Sequence, residues 1–383
     1  MMMQFFLLQN TLLVIFIIVG FWCSKRKNVY PIIVIAILLY TIIEGLRFGR
    51  GIDYNLYYDV YDQIENSSLE TNHEVLFISL CKLLIFLGIP YQGFILLCSF
   101  ILITCGISFL KKHSEVLLYS LPLFFLVSLL AENLIRWFLG FSFVLLALSA
   151  LSEGRNIKFV IWSVLGGCFH YGLFFVIIPF FIISRIKRIL LPPWIAIGLY
   201  FILVVVWSSD FMLNFSNLVN ILFSTSERFS MYAMDADSWL TGANREQTVI
   251  PFTTHIRLFC TYTYLLFVGK KVVIEKPQLL LFYNILCVGI VLFPIMQPIE
   301  LFFRINYLFM FFQMLIAAYC FYFTFSQKKR INIGIRCLGF LVLFFYINNI
   351  EGKFLISDPY KTCLLYTSPS PRDRSLSRMP SSA

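Results

Sequence analysis

The chain has 383 residues, of which 60% are hydrophobic and only 13% are charged, and its formal net charge is +10. Soluble domains carry about 25% charged residues, so this composition excludes an ordinary soluble protein and predicts an integral membrane protein. A mean hydropathy of +0.84 agrees with that class. The basic residues fall in short clusters between apolar runs, which is the positive-inside pattern of membrane proteins and argues against nucleic-acid binding.

Apolar runs of roughly 17–25 residues recur along the chain, and each is long enough to cross about 30 Å of hydrocarbon. The first run has no basic region before it and no small-residue cleavage site after it, so we interpret it as a retained span. We predict one all-α, polytopic membrane helix bundle over residues 1–350, with about ten full crossings. These are approximately 4–22, 30–46, 91–110, 116–131, 137–151, 193–207, 251–269, 278–297, 307–325 and 331–349.

The basic clusters between these crossings are expected in the cytoplasm, and the polar segments at the opposite ends are expected outside. With this orientation both termini lie outside, as do residues 47–61, 132–136, 210–250 and 298–306. The cytoplasmic clusters are Lys25-Arg26-Lys27, Lys111-Lys112, Arg155 with Lys158, Arg185-Lys187-Arg188, Lys270-Lys271 and Lys328-Lys329-Arg330.

Two apolar segments do not fit simple crossings. Residues 74–88 are short and contain Lys82, which predicts an interfacial or re-entrant helix on the outer side. Residues 159–184 have basic residues at both ends, which asks for an even number of crossings, yet the segment is too short for two full spans. A pair of half-helices meeting near His170 satisfies both observations. The alternative is a single long tilted helix, which would reverse the orientation downstream.

The C-terminal residues 351–383 differ in composition from the rest of the chain. From about residue 366 they are rich in Ser, Pro and Arg, with almost nothing to bury, so we expect a largely disordered tail. This last part resembles a translated vector sequence and is interpreted as non-native.

The ten cysteines lie mostly inside apolar runs and show no C-x-x-C spacing. Cysteines in such positions act as small apolar side chains, so no disulfide framework is predicted. The His, Asp and Glu residues are not clustered at the spacing of metal ligands, so the sequence predicts neither a metal site nor a cofactor.

Residues 47–61 combine two arginines, two glycines and four tyrosines directly after an apolar run. Arg47 and Arg50 carry flat, permanently charged groups suited to phosphate or carboxylate. Gly51 lets the backbone approach a ligand closely. Tyr54 and Tyr57 suit the apolar faces of sugar rings, and equally a membrane interface. The alternative interpretation is an aromatic belt with two anchoring arginines.

An acid precedes an arginine by three or four residues at three outer boundaries. This spacing puts both groups on one helix face, so a local ion pair is one interpretation. Ionisable groups at membrane depth are costly and usually face the interior of the bundle, which favours a functional site. The pairs are Glu44 with Arg47, Glu132 with Arg136, and Glu300 with Arg304.

His170 lies in the glycine-rich stretch 166–172, at the proposed break between two half-helices. A lone buried histidine is more often structural than functional. Here the glycines permit an irregular and hydrated backbone, so a general base or a phosphate contact is a reasonable hypothesis. Asp53 is the second candidate for a base.

Gly51-Ile52-Asp53-Tyr54 with Tyr57 resembles the G-x-D-Y-x-x-Y signature of the EpsG family, the Wzy-like polysaccharide polymerases. The resemblance covers about residues 40–325, and Tyr171 departs from it because a small hydroxyl residue is expected after the histidine. Further segments agree in order and spacing at Glu74, Arg136, Phe169-His170 and Arg304.

This resemblance implies a glycosyltransferase on the outer face of the bacterial cytoplasmic membrane. Such proteins join oligosaccharide repeat units carried on undecaprenyl diphosphate into a capsule, an exopolysaccharide or an O-antigen, and need neither a metal nor a nucleotide. A flippase and a chain-length regulator are the implied partners besides the lipid bilayer. The alternatives are a flippase or transporter of the same lipid-linked oligosaccharide, and an O-antigen ligase.

Apart from His170 at the break in 159–184, the expected site residues lie on the outer side of the predicted topology. Arginines would stabilise the departing diphosphate, and a carboxylate or imidazole would take the proton of the acceptor hydroxyl. The candidate bases are Asp53 and His170. The candidate substrate-binding residues are Arg47, Arg50, Gly51, Tyr54, Tyr57, Glu132, Arg136, Glu300 and Arg304.

Overall fold

A computed structural model of the chain describes residues 2–25, 30–51, 53–66, 74–207, 252–297, 300–326 and 331–356. These residues are almost entirely helical, and no β-strand occurs among them. The predicted outer segment 210–250, the cluster at Lys328 and the tail after residue 356 lie outside the described part.

The described helices follow one another with short connections, as an all-α membrane bundle requires. The first eight are α1 (Met2–Lys25), α2 (Tyr30–Gly45), α3 (Tyr54–Glu65), α4 (Val75–Phe86), α5 (Tyr91–Lys111), α6 (Leu117–Leu123), α7 (Phe125–Ser128) and α8 (Ile135–Ser152). The others are α9 (Asn156–Phe169), α10 (Phe174–Ser184), α11 (Pro193–Trp207), α12 (Phe252–Glu275), α13 (Leu280–Met296), α14 (Glu300–Met310), α15 (Gln313–Phe321) and α16 (Ile333–Ile356). Short 3₁₀ turns lie at Ser114–Val116, Leu129–Glu132, Tyr171–Leu173 and Pro277–Leu279, and a π turn at Tyr322–Ser326.

Seven stretches of the described residues are long and apolar enough to cross a membrane, which confirms a multi-pass helical protein but gives seven such helices rather than ten. Two of the other expected crossings correspond to the shorter apolar helices α2 and α11, and the third lies in α12, which is not among the seven. The seven are Phe5–Lys25, Tyr91–Lys111, Ser114–Glu132, Ile135–Ser152, Pro277–Met296, Phe302–Ser326 and Ile333–Phe354.

Three ion pairs lie at one end of the bundle, and two of them contain the predicted cytoplasmic residues Lys112 and Arg155. Glu153 pairs with both Lys112 and Arg155, which joins the end of α5 to the turn after α8. Lys276 pairs with Glu115 and joins the end of α12 to the 3₁₀ turn before α6. We call this the basic end. The contact of Lys112 and Arg155 with the same carboxylate agrees with the prediction that these two basic residues share one side of the membrane.

The loop between α2 and α3, described at residues 46–51 and 53, lies at the opposite end, which we call the signature end. α5 finishes at the basic end, so its first residues lie at the other end, and there Gln92 bonds to the carbonyl oxygens of Gly45 and Arg47. A second, smaller core packs α3 and α4 against the start of α5, with Tyr57 and Phe77 among its buried members. This core supports the loop from one side.

The segment 159–184 has a break at its centre. α9 ends at Phe169, and His170 is extended, with φ −156° and ψ 108°. Phe159 near the start of α9 stacks on Phe181 near the end of α10, with 5.6 Å between ring centroids. The two helices therefore run antiparallel, as the half-helix interpretation predicts. The structure does not contain the alternative, a single long tilted helix.

Glycines allow this hairpin to pack tightly. A Cβ on Gly140 of α8 would lie 2.6 Å from the carbonyl oxygen of Gly166 in α9, and a Cβ on Gly166 would lie 2.7 Å from that of Gly140. A Cβ on Gly167 would lie 2.2 Å from the ring of Phe174 in α10. Small residues at such crossings let helix backbones approach closely in a membrane.

α4 is a short helix at the signature end. Its 12 residues span about 18 Å, too little to cross a bilayer. Phe77 and Cys81 are buried on one face, whereas Val75, Leu83 and Phe86 are exposed on the other. This pattern is typical of the interfacial segment that the sequence predicts at 74–88.

Candidate functional site

Two glycines shape the loop between α2 and α3. Gly49 has φ +62° and Gly51 has φ +102°, a region of backbone conformation that favours glycine. A Cβ on Gly51 would also lie 2.9 Å from Asn133 Oδ1 and 3.1 Å from the Glu132 carbonyl oxygen. Glycine at this position therefore lets the loop lie directly against the chain that leads into α8.

Arg50 and Glu132 form a buried ion pair. Arg50 Nη2 lies 2.7 Å from Glu132 Oε1, and the side chains are 2% and 7% exposed. The Arg50 guanidinium carbon also lies 3.4 Å from the ring centroid of Phe5 in α1, a cation–π contact. Such a pair fixes the loop, because separating the partners would leave a charge buried alone.

Arg47 is held by main-chain groups. Its Nη1 donates to the Glu44 carbonyl oxygen at 2.6 Å, and the side chain is buried. The Glu44 carboxylate instead accepts a 2.5 Å hydrogen bond from Gln9 Nε2 in α1. α2 ends at Gly45, so Arg47 lies beyond the helix and the local side-chain pair expected from their spacing does not form.

Arg136 pairs with a distant acid. Its Nη1 lies 2.9 Å from Glu74 Oε2, whose side chain is 2% exposed, and the Arg136 side chain is 21% exposed. Its guanidinium carbon lies 5.5 Å from the ring centroid of Tyr57 and 5.4 Å from that of Phe77. The expected pairing with Glu132 on one helix face was wrong, because the 3₁₀ turn ends at Glu132 before α8 starts.

Tyr57 connects the family-like motif to Arg136. Arg136 Nε donates to the Tyr57 hydroxyl at 3.5 Å. Burial raises the pKa of the Tyr57 hydroxyl, and the neighbouring Arg136 opposes that rise. Tyr57 is therefore a neutral phenol at physiological pH. Asp53 lies one helical turn earlier, half-buried just before α3, and its carbonyl oxygen accepts from the Tyr57 amide at 3.0 Å.

Gln92 is a site residue that sequence reasoning missed. Its Oε1 accepts from the Tyr54 hydroxyl at 3.0 Å, and its Nε2 donates to the carbonyl oxygens of Gly45 at 2.6 Å and Arg47 at 2.9 Å. All three bonds go to the loop and its flanking helices. The sequence could not have predicted this role, because main-chain carbonyl oxygens occur at every residue and leave no pattern around a single glutamine.

His170 lies beside the start of α8. Its ring meets the Trp137 ring edge-on, with 4.7 Å between centroids. Its Nδ1 accepts a hydrogen bond from the Gly172 amide at 3.2 Å. In the neutral ring this bond places the proton on Nε2. His170 thus packs against Trp137, the residue that follows Arg136 in α8, although His170 lies far from both in the sequence.

Arg304 lies on α14, half-buried and one helical turn before Tyr307. The Tyr307 hydroxyl donates to the Leu126 carbonyl oxygen at 2.6 Å, and its ring lies 6.5 Å from that of Phe138 in α8. These contacts bring the start of α14 to the first turns of α8. Glu300 is the first residue of α14, and its side chain lies outside the described part of the structure.

A small cavity lies beneath the loop, with a volume of about 20 Å³. Glu44, Arg47 and Glu132 are among the residues that line it. Within the described part of the chain, Glu44 Oε2 and Arg47 Nε have no hydrogen-bond partner. The volume fits one water molecule and is far too small for a sugar or a diphosphate.

No three His, Cys, Asp or Glu side chains of the described ranges are placed to share a metal ion. Among the described residues, the cationic groups of the signature end are mainly arginines, together with Lys82 of α4 and Lys353 of α16. Guanidinium groups suit phosphate through bidentate hydrogen bonds.

The model of the EpsG family matches residues 30–368 of the chain. The chain belongs to the EpsG family. The match extends beyond the segment that carries the sequence resemblance, and it leaves α1 outside. EpsG membership confirms the resemblance seen at Gly51–Tyr57 and, with the membrane helices, indicates a membrane polymerase of polysaccharide biosynthesis. No curated protein and no solved structure matches the chain significantly.

Proposed function

We propose that this EpsG-family chain is a glycosyltransferase that polymerises undecaprenyl-diphosphate-linked repeat units on the outer face of the bacterial cytoplasmic membrane. The observation that carries the proposal is the setting of Arg136. It is held by Glu74 and by the rings of Tyr57 and Phe77, next to the family signature, and it retains an exposed fraction. A permanently charged group held in this way is suited to a diphosphate.

In the proposed reaction, the hydroxyl oxygen of the acceptor sugar attacks the anomeric carbon of the donor glycan. The bond between that carbon and the diphosphate oxygen breaks, and undecaprenyl diphosphate leaves with the bonding electron pair. The hydroxyl proton passes to a base on the protein. The energy comes from the activated diphosphate bond, so the reaction as written needs no nucleotide.

The hydrogen bond at His170 favours Asp53 as the base. Because Nδ1 of His170 accepts from Gly172, its Nε2 carries the proton and acts as a donor. A donor suits the diphosphate or a sugar hydroxyl, whereas a carboxylate can accept a proton directly. We therefore assign proton acceptance to Asp53 and a donor contact to His170.

The four arginines divide by exposure. Arg136 and Arg304 are partly exposed, which supports direct contact with the diphosphate. Arg47 and Arg50 are buried against Glu44 and Glu132, which supports a role in holding the loop around Gly51, Tyr54 and Tyr57 in place. Glu300 remains a proposed member of the Arg304 site because of its position one turn earlier.

The test is complementation of a bacterial host that lacks its own polymerase and carries the cognate repeat-unit pathway. The wild-type chain is expected to restore a glycan ladder on a gel, and Arg136→Ala and Arg304→Ala are expected to abolish it. Normal ladder lengths from both variants would contradict the proposed roles. Repeat units trapped in the cytoplasmic leaflet on deletion of the gene would identify a flippase, and unligated full-length polymer would identify a ligase.

A further inference from the structure

Lys353 lies at the signature end, close to the end of α16. Its Nζ donates to the Leu126 carbonyl oxygen at 2.6 Å. Leu126 lies in α7, which is followed directly by the 3₁₀ turn Leu129–Glu132. The ring of Phe354 meets that of Phe125 edge-on at 5.6 Å, which fixes the end of α16 against α7. The lysine is thus held at a defined position rather than extended freely into solvent.

Tyr307 donates its hydroxyl to the same Leu126 oxygen, also at 2.6 Å. The Lys353 ammonium and the Tyr307 hydroxyl therefore lie within about 5 Å of each other. Arg304 precedes Tyr307 by three residues, and side chains three apart on a helix occupy neighbouring positions on its surface. α14 and α16 thus bring a lysine, a phenol and an arginine to one region.

The charge of Lys353 has no acidic partner in the described part of the chain. Glu351, the acid nearest to it along α16, accepts from Asn10 Nδ2 at 3.2 Å. Among the described residues, the Lys353 ammonium has only the Leu126 carbonyl oxygen as a partner. An ammonium has three donors, so one bond to a neutral carbonyl leaves two donors and the full charge for another group. A positive charge at this depth is costly, and ionisable groups inside a membrane commonly line substrate or ion pathways.

We propose that Lys353 binds the diphosphate of the lipid-linked substrate together with Arg304. This inference rests on the proposed function and adds a binding residue to it. Lysine binds phosphate as a point charge, and its ammonium can reach a phosphate oxygen while one proton stays on the Leu126 carbonyl oxygen. A lysine that only anchors α16 at the membrane interface would need its hydrogen bond but would not need its charge for substrate binding.

The substitution that separates these roles is Lys353→Gln, which keeps a donor for the Leu126 carbonyl oxygen and removes the charge. The full chain is placed in lipid nanodiscs and titrated with undecaprenyl diphosphate. We expect Lys353→Gln to weaken binding about tenfold, as the loss of one charge-assisted hydrogen bond does, and Lys353→Arg to stay close to wild type. Lys158→Gln is the matched control, because Lys158 is an exposed lysine near the basic end.

Equal affinities of the wild type and Lys353→Gln would overturn the role of Lys353 and leave the proposed function standing. Failure of the wild type to bind undecaprenyl diphosphate would overturn both. A measurement on the wild-type chain covers the case in which the variant does not fold. Undecaprenyl diphosphate is expected to slow acylation of Lys353, detected by mass spectrometry, without slowing that of Lys158. Absence of this protection also contradicts the proposal.

Discussion

Arg50 and Glu132 make an ion pair inside the bundle, with 2.7 Å between Nη2 and Oε1, although the first lies in the α2–α3 loop and the second at the end of a 3₁₀ turn. The pair ties the family signature to the chain that leads into α8. It also explains why Glu132 does not pair with Arg136, four residues later: each of these two charges has a partner from another part of the fold.

Removing one member of this pair is expected to be far more damaging than removing both. Glu132→Leu leaves the Arg50 guanidinium buried without a counter-charge and is expected to lower the free energy of unfolding by about 3–5 kcal/mol. The double variant Arg50→Met with Glu132→Leu is expected to recover most of that loss. Denaturant unfolding of the purified chain in detergent measures both. Equal destabilisation by the single and the double variant would show that the ion pair does not hold the loop.

The contact between Glu74 and Arg136 is expected to matter for activity through the position of the guanidinium. Glu74→Gln keeps the shape and removes the charge that holds Arg136, so we expect the rate of ladder formation to fall about tenfold, as loss of a charge-assisted hydrogen bond implies. Glu65→Gln, at the exposed end of α3, is the control and is expected to leave the rate unchanged. A normal rate from Glu74→Gln would mean that Arg136 finds its position without this carboxylate.

Gln92 is expected to control the order of the loop. Gln92→Glu has the same shape but loses both donors to the carbonyl oxygens of Gly45 and Arg47, a loss of about 2 kcal/mol locally. Opening of the loop should then be populated roughly thirtyfold more often, which faster hydrogen exchange of the amides in residues 46–54 would report. Gln63→Glu on the exposed face of α3 is the control. Unchanged exchange in Gln92→Glu would rule out this positioning role.

His113 is expected to make stability depend on pH. It lies between the α5 and α6 spans at the basic end, where burial lowers its pKa from 6.5 to about 4; Glu115 opposes this shift, and Lys112 and Lys276 add to it. The unfolded chain binds a proton below pH 6.5 while the folded chain does not. Stability should therefore fall as the pH drops from 6.5 towards 4, by about 3 kcal/mol in total.

The variant His113→Gln keeps a hydrogen-bonding group near the Tyr319 hydroxyl, which lies 3.0 Å from His113 Nδ1. Because it cannot titrate, the difference in unfolding free energy between it and the wild type should change between pH 6.5 and pH 4 and stay constant above pH 7.5. A constant difference across the whole range would show that the pKa of His113 in the folded chain is not lowered, and would contradict the prediction.

Features that depend on residues close together in the chain were predicted well. The helical membrane class follows from the length and hydropathy of single segments. The break near His170 follows from the basic residues on both flanks and from a segment too short for two crossings. The family signature at Gly51–Tyr57 is likewise a local pattern, and EpsG membership confirms it. The count of about ten crossings is not confirmed, because α2 and α11 are shorter than the seven candidate spans and α12 is not among those seven.

The choice of partners was decided by the tertiary structure. Local spacing pairs Glu132 with Arg136, yet Glu132 binds Arg50 and Arg136 binds Glu74. The spacing rule holds only inside an unbroken helix, and here the chain bends at residues 133–134. Gln92 was missed for a related reason: its partners are main-chain atoms, which every residue has.

The amino-acid sequence by itself determined that this chain is a membrane helix bundle with a cationic, tyrosine-rich signature segment, because hydrophobicity and charge act residue by residue. Only the tertiary structure decided which charges are buried in support of that segment and which remain open to a ligand. That division depends on where helices end and cross. It leaves Arg47 and Arg50 inside the protein and Arg136 partly exposed, and it brings Lys353 of the last described helix to the same end of the bundle.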